Sequence, residues 1–420
     1  MAAITFIILP FLLVCAFPVA YALLISGSVA VFWSGRFPLA MIAQRIFSPT
    51  QSFPLLAIPF FILAGELLIT GGLGERMIRF ATKLVGRFTG GLAQVSVIAS
   101  MLFAGVSGSA VADASALGSV IIPWQKKEGY PAPFASAVNA ASSTVGVIIP
   151  PSIPMIIYST VSGSSIGALF LAGLLPGLMV GLLQLALCFW IARQSGVPVS
   201  KGTFSKKELF ADFLATLPAM AMPILILVAM ITGVATPTEV SVLAVFYAIG
   251  VSGLLYRDLT IKKIYSAMIR AGVATGVVML IIMASSLLGW ILTIQNVPTR
   301  LTEWFLSLTH SSVLAIGFMN CVMLFVGTFL DMPAAILLLG PVFLPLAEAI
   351  HLDLVQLGVM MTLNLAIGLF TPPVGTTLFI SSTIAEIKIE DTVKALMPFY
   401  ICSLLVMLLI SYLPALTITP

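Results

Sequence analysis

Two stretches of the chain carry the residue types from which an ion site could be built. STVGVIIPPSIP (143–154) and GLFTPPVGTT (368–377) each set Pro-Pro in the middle of an apolar run. Proline removes an amide donor and clashes with the carbonyl of the preceding turn. It also biases the residue before it away from helical geometry. Each run must therefore break as a helix and free carbonyl oxygens, which find no water in hydrocarbon. A bound cation can satisfy them, while helix N-termini at such a break suit an anion. The plainer reading is a kink satisfied by neighbouring Ser and Thr.

Small residues and hydroxyls gather at two further places. GVSGSAVADAS (105–115) offers Ser107, Ser109, Asp113 and Ser115, and GTFLDMP (327–333) offers Thr328 and Asp331. Carboxylates inside a membrane are costly and usually functional. Asp331, beside a proline, reads first as a substrate or ion contact and second as a helix cap; for Asp113 that order is reversed. Asn139 and Asn364 precede the two Pro-Pro pairs and could bridge neighbouring segments, either at a site or as simple interhelical hydrogen bonds. Thr376 follows the second pair. Glu66 and Glu239 read as caps or as partners of a polar neighbour. The four cysteines (Cys15, Cys188, Cys321, Cys402) stand alone in apolar runs and read as buried hydrophobes.

Catalysis fits less well. Gly105-Val106-Ser107-Gly108 matches the GxSG of intramembrane serine proteases, but a serine nucleophile needs an activating base. The two histidines, His310 and His351, fall in polar flanks rather than in a span, and no HExxH motif exists. A channel would not need two broken helices, since selectivity is usually built from rings of subunits.

These segments must be held in lipid. Apolar residues make up 60% of the 420, charged residues 8%, and the mean hydropathy is +1.17. An average soluble domain carries about 25% charged residues. The fold class is therefore an all-α polytopic membrane protein, with room for roughly a dozen passes of about 20 residues. The net charge of +4 is distributed in short clusters between apolar runs, as topology signals are, and nothing supports nucleic-acid binding. Residues 1–33 lack a basic n-region and an A-x-A site, so they read as membrane structure, either one tilted helix or a tight pair.

The chain also contains its own repeat. FAGVSGSAVADASALGSVIIP (103–123) aligns without gaps on FVGTFLDMPAAILLLGPVFLP (325–345), Gly105 on Gly327, an offset of 222 (327 − 105). The same offset pairs Gly146 with Gly368, Pro150 with Pro372 and Pro151 with Pro373. Loop charge predicts how the copies are oriented. Arg76, Arg79, Lys83 and Arg87 precede segment 92–122, and Lys126 and Lys127 follow it, so both flanks read as cytoplasmic and the segment as a re-entrant hairpin with its tip at Ser107–Ser109. The second hairpin, about 313–346, is flanked by Arg300 and Glu303 and by Glu348 and Asp353, which read as external. Residues 1–192 then form one repeat, with a broken helix at about 132–158. Residues 193–212 form a cytoplasmic link containing Arg193, Lys201, Lys206 and Lys207. Residues 213–420 form the inverted second repeat, with a broken helix at about 354–382. Segments 75–90 and 298–312 read as amphipathic interfacial helices. Arg36 and Arg45 fall in a loop that this scheme calls external, against the usual bias.

The hairpins SGSAVADASALGS and GTFLDMPAAILLLGPVFLP, with the breaks VGVIIPPSIPMIIYS and IGLFTPPVGTTLFISS, form a specific set. Over nearly its full length the chain resembles the large membrane subunit of tripartite ATP-independent periplasmic (TRAP) transporters. The resemblance implies an elevator mechanism and Na⁺ symport. It also implies two partners, a small four-helix membrane subunit and a periplasmic substrate-binding protein. The sequence shows no amino-terminal four-helix extension, so the resemblance is read as one to the unfused form. Carried over position by position, one Na⁺ site uses carbonyls around Ser107, Gly146, Ile149 and Pro151, and the other Gly327, Gly368, Thr371 and Val374. Ser109, Asp331, Asn139, Asn364 and Thr376 are the substrate-contact candidates. The implied substrate is an organic acid: a sugar acid such as sialic acid, a keto acid or a C4-dicarboxylate. Na⁺ is expected as the co-transported ion, with no organic cofactor. The competing reading is a self-sufficient sodium–dicarboxylate symporter of related architecture.

Overall fold

The computed structural model describes residues 1–15, 17–197 and 205–417; Lys201 of the linking loop lies outside them. Every regular element among the described residues is helical. α1 (Ala2–Val14), α2 (Val19–Ser34), α3 (Ala40–Phe47) and α4 (Ala57–Thr70) lead to the amphipathic α5 (Leu73–Val85). The first hairpin follows as α6 (Gly91–Ser107) and α7 (Ala110–Lys127). The first broken helix is α8 (Ala132–Ser142), a 3-10 turn (Ser143–Val147) and α9 (Ile153–Ser162), and α10 (Ile166–Gln194) comes next. After the link come α11 (Lys206–Ile231), α12 (Pro237–Ile249) with a π-helical extension (Gly250–Leu255), α13 (Ile261–Ile294) and α14 (Val297–Leu308). The second hairpin is α15 (Ser312–Gly327) and α16 (Met332–Ala349); the second broken helix is α17 (Leu354–Gly368) and α18 (Thr376–Ala385). α19 (Ile389–Tyr412) closes the bundle.

Seven helical segments among the described residues are long and apolar enough to cross a membrane, fewer than a dozen. The difference lies in the hairpins and breaks and in the short pair α1 and α2, where the apolar runs form helices of 10–17 residues. Residues 1–33 resolve as a pair: α1 and α2 pack on each other, and Met1 and Arg36 meet Ile294, Asn296 and Arg300 around one pocket. That shared location puts Arg36 at the same end as Arg300, the end that the charge scheme calls external. Of the four cysteines Cys188 is buried, whereas Cys15 and Cys321 are exposed on the helix surface rather than in the core.

Two groups of helices emerge from the packing. α4 lies against α12 and α13, and α2 against α13, where Gly27 leaves room for Leu287 and Leu288. The other group swaps partners between the halves. α7 of the first hairpin packs on α18 of the second broken helix, and α16 of the second hairpin packs on α9 of the first.

Charged partners tie the ends together. Arg76 pairs with Asp258 at 2.6 Å and stacks over Tyr256 at 4.1 Å, and Lys83 pairs with Glu208. Lys126 donates to the Ala385 carbonyl at 2.8 Å and lies 3.6 Å from Glu386. Glu66 accepts from Arg270 at 2.7 Å, and Glu239 completes a capping box with Thr236.

Candidate functional site: two hairpin-and-break junctions

The first junction forms where the tip of hairpin one meets the first break. α6 ends on Gly108 in the left-handed region (φ +60°), a conformation that suits glycine because no Cβ collides with the backbone. Ser109 then caps α7, accepting from the Ala112 amide at 3.4 Å. A β-carbon at Gly108 would stand 2.5 Å from the Pro151 carbonyl oxygen, so the tip rests on the break itself. The chain leaves α8 through the 3-10 turn, passes a cis Pro150–Pro151 bond, and restarts at Ser152, whose hydroxyl accepts from the Met155 amide. Asp113, in the first turn of α7, does not cap that helix. Its Oδ1 accepts from the Ser107 hydroxyl, and its Oδ2 has no hydrogen-bond partner, although the residue is fully buried. A β-carbon at Gly146 would collide with that free oxygen.

The second junction repeats the plan with other groups. α15 stops at Gly327, and the tip runs over four residues to Asp331 instead of the two of hairpin one. A β-carbon at Gly368 would collide with the Gly327 carbonyl oxygen. The Val374 amide donates to the Thr328 carbonyl at 3.2 Å, fastening the break to the tip, and Thr371 and Gly375 close the turn through a 3.1 Å bond. Pro372–Pro373 is cis as well. Asp331 is the N-cap residue of α16 without a side-chain cap bond; its carboxylate accepts from the adjacent Met332 amide. Thr376 opens α18 with a buried hydroxyl that has no partner.

The two junctions are stitched together across the repeat. The Thr377 hydroxyl donates to the Ala140 carbonyl at 3.1 Å, and Asn139 donates to Ser381 at 2.8 Å and to the Ala114 carbonyl of hairpin one at 3.0 Å. Asn364 donates to the Asn320 side chain and carbonyl of hairpin two, both at 3.1 Å. Both asparagines thus join a hairpin to a broken helix. They are 1% and 0% exposed, each with a free Oδ1.

The structure therefore brings Ser107 and Gly146 together, with Pro151 at the adjacent tip residue Gly108, and gathers Gly327, Gly368, Thr371 and Val374. Ile149 lies in the first break, its amide held by the Val145 carbonyl. Ser109 and Asp331 are found at the two tips. Reading the sequence as a helix cap hid the position of Asp113. The usable signal was the repeat itself: 222 residues on from Asp113 stands Ala335, so a simple structural cap is not kept in both copies.

Comparison with known proteins bears on this geometry. A family model described as tripartite ATP-independent periplasmic transporter, DctM component, matches residues 6–416. The 2,3-diketo-L-gulonate TRAP transporter large permease protein YiaN of Escherichia coli is 35% identical over 96% of this chain and 95% of its own. The sialic acid TRAP transporter large permease protein SiaM of Vibrio cholerae is 33% identical over 97% and 95%. Among solved structures, the YdaH transporter of Alcanivorax borkumensis superposes with a TM-score of 0.63 at 13% identity, covering 90% of this chain and 89% of its own, a likeness of fold.

Proposed function

The chain belongs to the DctM component family of tripartite ATP-independent periplasmic transporters, and from that premise we propose that its two junctions bind Na⁺ and carry an organic acid inward by an elevator movement. It is a multi-pass inner-membrane transport subunit, not an enzyme. The family's tripartite character supports a small four-helix membrane subunit and a periplasmic binding protein as its partners.

The observation that carries the reading is the contact of each hairpin tip with its own break, at Gly108 with Pro151 and at Gly327 with Gly368. Each contact sets a backbone carbonyl, that of Pro151 or of Gly327, against the facing glycine, and at the first junction a buried carboxylate oxygen lacks a partner. Such a donor set fits a small monovalent cation. Hard cations take oxygen ligands, and unwound helices supply them in transporters. In this reading residues 1–192 and 213–420 are inverted repeats joined by 193–212. Because α7 packs on α18 and α16 on α9, both hairpins and both breaks move as one body against α2, α4, α12 and α13. A sugar acid such as sialic acid, a keto acid or a C4-dicarboxylate places its carboxylate near the N-termini of the broken-helix halves, where amides and the helix dipole favour an anion. Ser109, Asp331 and Thr376 are the polar groups in reach; Asn139 and Asn364 hold the broken helices in position.

Exposure supports a cytoplasm-open form. α7 bares Val111, Ser115, Ser119 and Val120 on the way from its tip to the cytoplasmic end marked by Lys126, and α18 bares Phe379 and Thr383 toward Glu386. α16 and α9 are mostly covered, α16 by α13 and α14. Reconstitution with the small subunit and a panel of binding proteins tests the reading. Uptake of one carboxylate, dependent on its binding protein and on Na⁺, is expected. Uptake of a neutral or cationic solute, or uptake without any binding protein, contradicts it.

A further inference from the structure

We infer that a pocket between Arg36 and Arg300, far in sequence from both junctions, holds the phosphate of an anionic phospholipid. This goes beyond the transport reading and does not depend on bound sodium. α13 packs against α1, α2, α3 and α14. Where its last residues meet the turn between α2 and α3, a pocket of about 370 Å³ opens. Arg36 and Phe37 line it from one side, Ile294, Asn296 and Arg300 from the other. Phe37 is held by an edge-on contact with Trp290 at 5.2 Å, and Arg45 of α3 lies over the same Trp290 ring at 5.2 Å. Three guanidinium groups thus gather at one corner of the bundle.

The protein supplies almost no anion there. Residues 1–65 contain no Asp or Glu, α13 contains none, and Glu303 is the lone carboxylate of α14. The ion pairs among the described residues involve neither Arg36, Arg45 nor Arg300, and Arg45 Nε is buried without a hydrogen-bond partner. Gathered like charges repel unless an anion lies among them. The loop also runs against the bias that keeps Arg out of external segments, and a bound anion gives these arginines a reason to be there. Two guanidinium groups on one pocket suit a phosphate, whose oxygens accept paired N–H bonds. The rim says what carries that phosphate. Phe32 and Trp33, just before Arg36, and Leu39, just after it, are exposed. Exposed aromatic rings beside cations are the signature of the headgroup level of a bilayer. A phospholipid covers both surfaces at once, its phosphate in the pocket and its acyl chains along the rim.

Native mass spectrometry of the purified complex of large and small subunits, titrated with phosphatidylglycerol, tests this. Wild-type protein is expected to hold one phosphatidylglycerol tightly, in preference to the zwitterionic phosphatidylcholine, and to keep it when inorganic phosphate is added in excess. Arg36→Gln/Arg300→Gln should weaken that binding about thirtyfold, roughly fivefold for each arginine. Lys127→Gln/Lys262→Gln, which removes the same charge at the other end of the bundle, should leave it unchanged. Equal uptake of the two lipids by wild-type protein overturns the inference, whether or not the variants assemble. So does an arginine variant that binds phosphatidylglycerol like wild type. Displacement by inorganic phosphate would make the pocket a site for free anions and overturns the lipid assignment. An arginine variant that keeps its lipid but no longer takes up substrate from a binding protein would assign the corner to that protein's acidic face instead. None of these results bears on sodium coupling, which stands or falls separately.

Discussion

Gly368→Ala adds a single methyl where the second break touches the second tip. That methyl would overlap the Gly327 carbonyl oxygen, 2.6 Å from its carbon and 3.0 Å from the Gly327 Cα. Both neighbours are backbone, so no rotamer change relieves the clash. Tip and break must separate by about 1 Å to regain ordinary contact, and overpacking of this kind costs about 1–3 kcal/mol. An oxygen ligand displaced that far leaves an ion's shell, since such ligands hold within a few tenths of an ångström. Sodium at 100 times its dissociation constant stabilises a folded protein by about 2.7 kcal/mol per site. The variant should therefore lose about half of the Na⁺-dependent thermal stabilisation, read by scanning fluorimetry of the purified complex in NaCl against KCl. Gly272→Ala on α13 is the control, because a β-carbon there meets nothing within 4 Å. Undiminished sodium stabilisation in Gly368→Ala refutes the placement of an ion at this junction.

Other outcomes follow from the same geometry. Arg76→Ala removes the bond to Asp258, the Tyr256 stacking and the donor to the Gly72 carbonyl at 2.9 Å; with Asp258 42% exposed the loss should be about 1–2 kcal/mol, against no shift for Lys394→Ala, and equal melting temperatures for the two variants would count against it. Asn364→Leu strips the donor from Asn320 inside the bundle and should lower stability by about 1–2 kcal/mol, with the small subunit still bound; loss of that subunit would point to a surface role instead. Cysteines placed at Lys126 and Glu348 should react with membrane-impermeant thiol reagents from opposite sides of the membrane, and labelling from one side would end the inverted-repeat reading.

Much of this arrangement was legible in the sequence because glycine and proline act locally. The hairpin tip at 107–109 and the breaks at 148–152 and 369–375 follow from residues that cannot continue a helix, whatever surrounds them. Partner choice was not legible. The pairing of α7 with α18 and of α9 with α16 depends on apolar faces that look alike throughout a lipid-soluble chain, and only packing selects among them. Asp113 was obscured for a related reason. In sequence it is an acidic residue in a first helical turn, where a capping role is the common one, and its burial against Gly146 is a long-range fact. Glu66 reads in the sequence as a cap or as packing against a polar partner; the partner is Arg270, whose identity no local pattern gives because it lies 204 residues away.

The most direct test of the account is coupled flux in liposomes containing the large and small subunits. A binding protein loaded with its labelled organic acid is added outside under an inward sodium gradient, and ²²Na⁺ and substrate entry are measured together. The two junctions predict more than one Na⁺ entering per substrate, a rate that rises cooperatively with sodium, and collapse when K⁺ replaces it. Substrate entering at the same rate without sodium, or sodium entry that ignores the substrate, would contradict the claim that the two hairpin-and-break junctions form one sodium-loaded carrier.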